Sequence, residues 1–334
     1  MRITEVPTLG EVAEKKLEKA GIIRVEQLLS RSIADTAERT GMDNDSVYKI
    51  IEKCREKLEK DGLISKKLLK ASELSDANTP IIKTGTGCMD KLLNGGLHTG
   101  AVTEVYGEFG SGKTQFCNVM AVRVQLPKDK GGLGGKCIWV DTEKTFSKDR
   151  IRTIAEANGL DPEEALDNII VARAYNAVDM QVILEEIERT ILADKDIKLI
   201  IIDSATGLFR DEFLGRGNLS ERQRYLNKFL GLSWRMAKNT DRAVIWTNQV
   251  MVNPNTFYGD PILPIGGTGL SHKSTYRVYF KKSGRKRIGV MVDSSEIGQI
   301  EVMFGLHESG IIEPEEVERL EKERKKAKRK EKDL

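Results

Sequence analysis

Residues Gly107-Glu108-Phe109-Gly110-Ser111-Gly112-Lys113-Thr114 satisfy every fixed position of the pattern G-x-x-x-x-G-K-[ST], a set of residue types suited to holding phosphate. Glycines let backbone N–H groups close around phosphate oxygens, and the N-terminus of a following helix adds its positive dipole end. The Lys113 ammonium can reach the β- and γ-phosphates of a nucleoside triphosphate, and Thr114 would hold Mg²⁺. The plain alternative, a glycine-rich turn without a ligand, is weakened by context. The sequence predicts a strand over 103–106 entering the loop and an amphipathic helix over 115–126 leaving it.

A triphosphate site needs a second acidic position for the metal ion. Leu199-Ile200-Ile201-Ile202-Asp203-Ser204 supplies it: four apolar residues of a buried strand place Asp203 at the strand's carboxyl end, where the phosphate loop also lies. Ile138-Trp139-Val140-Asp141-Thr142-Glu143 ends another hydrophobic strand in carboxylates. Glu143 is positioned to orient or deprotonate the water that attacks the γ-phosphate. Standing alone it would be an ordinary solvated strand end; its company argues otherwise.

The elements that position these residues follow from periodicity. Strand-like runs at 101–106, 136–141, 168–172, 198–203 and 243–248 alternate with helical patterns, which predicts an α/β fold with a mostly parallel central sheet covered on both faces. The segments 276–280, 286–293 and 301–306 follow without long helices and predict an antiparallel extension of that sheet. Residues 1–60 read as a small all-α N-terminal domain of short helices, with Leu17, Ala20, Ile22, Leu28 and Leu29 in one apolar set, then 33–40, then 45–58. The stretch 7–17 has the outline of a helix-hairpin-helix, with Thr8-Leu9-Gly10 where Gly-hydrophobic-Gly is usual; DNA contact and a plain packing bundle are both open readings. Residues 61–84 lose periodicity and read as a linker, 85–313 as the core, and 314–334 as a charged tail, solvated or forming a DNA- or partner-binding arm.

Composition sets the outer bounds. The chain of 334 residues has 54 Lys and Arg against 51 Asp and Glu, a formal net charge of +3, so any nucleic-acid reading must come from local clusters. No apolar run approaches the ~18–20 residues needed to span a bilayer. Glu5, Glu11 and Glu14 are foreign to a signal peptide. A cytoplasmic protein without a membrane partner is expected. Cys54, Cys88, Cys117 and Cys137 show no C-x-x-C spacing, and His98, His272 and His307 are scattered; reduced, mostly buried thiols are expected rather than a zinc site.

GEFGSGKTQ at 107–115, DTE at 141–143, FRDEFLGRGNLSERQ at 209–223, TNQV at 247–250 and GDPILPIGG at 259–267 occur together in an order that resembles the archaeal RadA recombinases and their eukaryotic counterparts. The similarity runs from the helical N-terminal part to about residue 313. It implies a RecA-like P-loop ATPase core that polymerises on DNA and drives homologous strand exchange, with ATP and Mg²⁺ as ligands. It further implies that Lys113, Thr114 and Asp203 serve phosphate and Mg²⁺, that Glu143 serves the attacking water, that Gln115 belongs to the nucleotide loop, and that Arg150 lies against the adenine. Gln249 corresponds to the residue that senses the γ-phosphate, and His272 resembles a second sensor. Asp260, Pro261, Pro264 and Ile265 correspond to a cap over the neighbouring subunit's nucleotide.

The same resemblance implies a first DNA loop with Arg210, Arg216 and Arg222, and a second, glycine-bearing loop over 250–271 with Val252, Asn253 and Pro254 near its tip. Guanidinium groups beside flexible backbone can follow a phosphate chain. Leu68 and Ala71 stand in the place of the family's Phe-x-x-Ala polymerisation motif; the leucine keeps an apolar anchor and loses the ring. Lys144 and Ser147 stand where glycine and arginine are usual, and Thr268 where histidine or asparagine is common. The expectation is a filament-forming ATPase acting on single-stranded and double-stranded DNA, with mediator proteins as further partners. The alternatives are a recombination-mediator paralogue that binds ATP and stabilises another recombinase, and a hexameric helicase on the same core.

Overall fold

The computed structural model describes residues 1–7, 9–63, 70, 79–212, 219–252, 262–266, 270 and 272–330. The chain divides into two compact units, Met1–Asn78 and Thr79–Leu334.

The first unit contains helices α1 (Glu11–Lys19), α2 (Val25–Leu29), α3 (Ile33–Thr40) and α4 (Asn44–Lys60). Their ends follow from local chemistry. Ser32 Oγ accepts from Asp35 N at the start of α3, and Asp43 Oδ1 accepts from Ser46 N at the start of α4. Gly41 closes α3 in the left-handed region at φ 63°. Leu17, Ile22, Leu28, Cys54 and Leu58 are buried together, with Ala20 and Leu29 packed partly against them. Gly10 caps α1 without a side-chain acceptor, and Thr8 lies outside the described residues.

The second unit opens with β1 (Ile81–Ile82), inside the stretch read from sequence as a linker. After α5 (Gly87–Leu92), β1 pairs with β2 (Leu97–His98). The chain then runs through β3 (Val102–Gly107), α6 (Lys113–Arg123), β4 (Lys136–Asp141), α7 (Lys148–Ala157), α8 (Pro162–Asp167), β5 (Ile169–Arg173), α9 (Ala177–Ala193) and β6 (Ile197–Asp203). It continues through α10 (Gly207–Glu212), α11 (Leu219–Thr240), β7 (Ala243–Asn248) and the ribbon β8 (Val250–Val252) with β9 (Ile262–Pro264). Last come β10 (Tyr276–Ser283), β11 (Lys286–Ser294), β12 (Ile300–His307), β13 (Gly310–Ile312) and α12 (Pro314–Lys330).

The sheet order is β13-β12-β11-β10-β3-β7-β6-β4-β5. Strands β3 to β7 are parallel to their neighbours, and β10 joins them in parallel beside β3. Strands β11, β12 and β13 extend the sheet antiparallel, as the pattern of the last third predicts.

Alternation along the strands fills two cores. Cys137, Trp139, Leu199 and Ile201 face one side with Phe116 and Met120, whereas Ile138, Val140, Ile200 and Ile202 face the other with Leu184, Phe229 and Trp246. Each fully buried isoleucine or leucine contributes ~1.5–3 kcal/mol to that stability. The helix after the phosphate loop departs from the amphipathic expectation. Every residue of α6 from Phe116 to Val122 is buried, because the helix sits inside the first core, with the sheet on one side and α7 and β13 also against it.

Register places the ends of four strands on one line. Asp141 pairs with Asp203, Ile202 with Trp246, and Tyr106 with Asn248. The carboxyl ends of β3, β4, β6 and β7 thus share one edge, where ligands of parallel sheets bind.

Candidate nucleotide site

Strand β3 delivers the chain into the phosphate loop at Gly107, a position that admits no side chain: a Cβ there would lie 2.3 Å from the Phe280 carbonyl oxygen. Gly112, at φ 109°, turns the chain into α6 and leaves its first N–H groups pointing into the loop. Phe109 is 95 % exposed at the loop's apex. A cavity of about 570 Å³ opens here, lined by Gly107, Glu108, Phe109, Gly110, Gly112, Lys113, Thr114, Gln115, Glu143, Thr145, Asp203, Ser204, Gln249, Val250 and Leu306. Ser111, within the loop, is buried.

Lys113 Nζ donates to the carbonyls of Gly107 at 2.8 Å and Glu108 at 3.0 Å. Burial pulls its pKa below the ordinary lysine value, while Asp203 and Glu143 act in the opposite direction. Thr114 Oγ1 donates to Asp203 Oδ2 at 2.8 Å, Thr145 Oγ1 to the same oxygen at 3.4 Å, and Thr247 Oγ1 to Oδ1. Burial raises the Asp203 pKa; the hydroxyls of Thr247 and Thr114 and the charge of Lys113 counter it, and Glu143 adds to it.

Glu143 stands on a turn held by Asp141. The buried Asp141 carboxylate accepts from the backbone N–H groups of Glu143 at 3.3 Å, Thr145 at 3.0 Å and Phe146 at 3.2 Å. The turn requires a left-handed residue at 144, and Lys144 adopts φ 57° there, which explains the glycine usual in similar sequences. Its ammonium lies 5.5 Å from the Tyr175 ring centre. Ser147 has a local task of its own, accepting from Arg150 N at the start of α7.

Glu143 Oε1 accepts from Ser204 Oγ at 2.8 Å and from Gln249 Nε2 at 2.8 Å, and Arg210 Nη1 reaches Gln249 Oε1 at 3.5 Å. The structure thus brings together Lys113, Thr114, Glu143, Asp203 and Gln249. Arg150 sits at the rim: its Nε donates to Gln115 Oε1 at 2.6 Å, and its other nitrogens donate to the carbonyls of His307 and Glu308. Its guanidinium plane is held by the end of β12 beside the loop.

The remaining expected residues are more dispersed. Arg210 is exposed on α10 and Arg222 half-buried on α11. His272 is exposed and does not line the cavity among its described residues. Pro264 ends β9, and Ile265 is buried. Val252 ends β8. Leu68, Ala71, Arg216, Asn253, Pro254, Asp260, Pro261 and Thr268 lie outside the described residues.

Asp141, Thr145, Ser204 and Thr247 also contribute, although no sequence motif assigns them a role. A polar residue in or directly after the last positions of a buried strand is the signal for Asp141, Ser204 and Thr247, whereas Thr145 stands four residues beyond β4, and only sheet order shows that they converge.

Residues 75–314 match the family model described as Rad51. Over 328 residues the chain is 45 % identical to the DNA repair and recombination protein RadA of Cenarchaeum symbiosum, covering 97 % of this chain and 82 % of that protein. Over 314 residues it is 41 % identical to the DNA repair and recombination protein RadA of Aeropyrum pernix, covering 94 % and 97 %. With a family match across most of its length and the phosphate loop, the two strand-end carboxylates and the glutamine converging as described, the chain belongs to the Rad51 family.

Proposed function

We propose that this chain is a DNA-dependent ATPase that assembles on single-stranded DNA and pairs it with homologous duplex in recombinational repair. The observation that carries the reading is the contact of Glu143 with Gln249. It joins the residue best placed to activate water to the first residue beyond β7, where the ribbon β8–β9 begins. ATP chemistry and a loop suited to DNA thereby meet at one hydrogen bond.

The donor set fits ATP and Mg²⁺. Gly107 lets the loop pass against the Phe280 carbonyl and the Ser111 hydroxyl, where a Cβ has no room, and Lys113 supplies the cation. Among the described residues no group of three or more His, Cys, Asp or Glu could hold a metal by itself; Mg²⁺ is commonly bound by one carboxylate together with substrate phosphates. Thr114 and Asp203, 2.8 Å apart, would hold it, and bound there it neutralises charge developing on the phosphates. Lys113 orients the β- and γ-phosphates, and Glu143 aligns a water and takes its proton. The water's oxygen bonds to the γ-phosphorus as the bridging oxygen leaves with ADP. Gln249 follows the γ-phosphate through Glu143.

Arg210, Arg216 and Arg222, together with the segment beyond Val252, would contact the DNA backbone. Self-association is supported by β5. It is an open sheet edge with Ile170 and Val171 exposed, and Tyr175, Val178 and Val182 are exposed just beyond it. A segment such as Leu68–Ala71 from a neighbouring subunit would fit such an edge. No helix among the described residues is long and apolar enough to cross a membrane.

The test is ATP hydrolysis with and without single-stranded DNA, together with electron micrographs of the same mixtures. Stimulation by DNA and filament formation are expected. ATP binding with neither would favour the mediator paralogue, against which the joint presence of Lys113, Glu143, Asp203 and Gln249 speaks.

A further inference from the structure

Apart from the groups assigned to nucleotide, one set of buried polar side chains joins the roots of the two loops proposed to contact DNA. Glu104, in the middle of β3, is fully buried. Its Oε2 accepts from Arg277 Nε at 2.8 Å and its Oε1 from Asn248 Nδ2 at 2.9 Å. Asn248, also fully buried, divides its amide between two further segments: Nδ2 donates to the Ile265 carbonyl at 2.7 Å, and Oδ1 accepts from Thr206 Oγ1 at 2.6 Å.

Position gives these bonds their meaning. Thr206 immediately precedes α10, whose chain continues into the first loop. Ile265 directly follows β9, and its N–H bonds the Gln249 carbonyl at 3.0 Å, so the second loop is fastened at its base to residues 248 and 249. Gly266, at φ 104°, passes close to the Thr206 methyl, where a Cβ would lie 3.3 Å away.

The amide of Asn248 has one usable orientation. Both neighbours on its Nδ2 side, the Glu104 carboxylate and the Ile265 carbonyl, only accept, and the side chain on its Oδ1 side donates. Glu104, itself held by Arg277, is the fixed point that sets this orientation.

We propose that Thr206, Asn248 and Glu104 are positioning residues that lock the roots of both DNA loops to one another and to the Gln249–Glu143 contact. This rests on the function proposed above. The two roots move as one body, so DNA held by either loop is felt at Gln249, whose backbone closes the second loop and whose side chain touches Glu143.

The test compares wild type, Thr206→Val and Thr206→Ser in ATP hydrolysis with and without single-stranded DNA. Valine keeps the shape and removes the hydroxyl; serine keeps the hydroxyl. Thr206→Val is expected to hydrolyse ATP without DNA within about twofold of wild type and with an unchanged KM. Its stimulation by DNA should fall by roughly fivefold or more, the lower range of coupling between sites, and Thr206→Ser should restore it. Should the valine variant fail to fold, Thr206→Ala carries the same expectation. Full stimulation in the valine variant would overturn the proposal, as would an equal loss of hydrolysis with and without DNA. A wild-type protein that DNA does not stimulate would sink the function reading itself.

Discussion

Oε1 of Glu143 lies 2.8 Å from Nε2 of Gln249, and the Ser204 hydroxyl donates to the same oxygen at an equal distance. Two donors on one oxygen hold the carboxylate's orientation and leave Oε2 for the proton uptake proposed for Glu143. Glutamine at 143 can accept both bonds through its amide oxygen. Glu143→Gln is therefore expected to bind ATP with wild-type affinity while hydrolysis slows by ~10²–10⁴. Calorimetric titration and single-turnover kinetics separate the two effects; a variant that turns over at the wild-type rate would remove Glu143 from its role.

Lys113→Ala removes the cation expected to meet the phosphates. A charge-assisted hydrogen bond contributes about 1.5–3 kcal/mol, so ATP affinity should fall by roughly tenfold or more and ATP-dependent DNA pairing should be lost. Retained pairing by the alanine variant would place the phosphates elsewhere.

Arg216→Ala should weaken single-stranded DNA binding while ATP binding without DNA is unchanged. Losing one phosphate contact lowers the slope of log affinity against log salt by about 0.7 on a single strand. An unaltered slope with unaltered affinity would return Arg216 to the role of a solvated loop residue.

Leu68→Glu and, on the proposed receiving surface, Ile170→Glu should each shorten filaments, because each introduces a charge where an apolar anchor must be desolvated. ATP binding should persist in both. Sedimentation with ATP and single-stranded DNA reads the outcome, and full-sized filaments from either variant would exclude that side of the joint.

The four cysteines should resist alkylation in the native state. Burial pushes the thiols of Cys54 up to about 11 and Cys88 up to about 12, with Glu313 adding to the latter, and raises Cys117 and Cys137 as well. At pH 8 the thiolate population is then far below that of an ordinary cysteine. Iodoacetamide labelling is expected to be slow until denaturant is added; rapid modification of Cys54, Cys117 or Cys137 in the native protein would contradict their burial.

What the sequence disclosed followed chemistry that is local along the chain. The phosphate loop, β4 and β7 were legible because glycine spacing and unbroken apolar runs mark them within a few residues. Strand β10 runs past the apolar stretch that announced it, through Lys281 and Lys282 to Ser283, where it pairs with the start of β11. That end is paired hairpin backbone carrying charged side chains, which periodicity does not register. The burial of α6 departs from the expected amphipathic helix for the opposite reason: the polar Asn118 is buried inside it, beside Cys117. The links of Thr247 to Asp203 and of Arg277 to Glu104 span 44 and 173 residues. They exist only because β6 lies beside β7 and β3 beside β10, an order no local pattern encodes.

The two margins of the nine-stranded sheet are unlike. All three residues of β13 are buried, α6 packs on that strand, and α12 lies against β12, whereas β5 shows Ile170 and Val171 to solvent. Of the two margins, as the described residues show them, β5 is the one that could receive a neighbour. A joint made there with a different segment of the neighbour is heterologous, and every added copy repeats the same polarity. Growth along such an array can be halted by occupying one exposed terminus. A soluble peptide lying along β5 would act as a chain terminator, at concentrations set by its affinity for that edge.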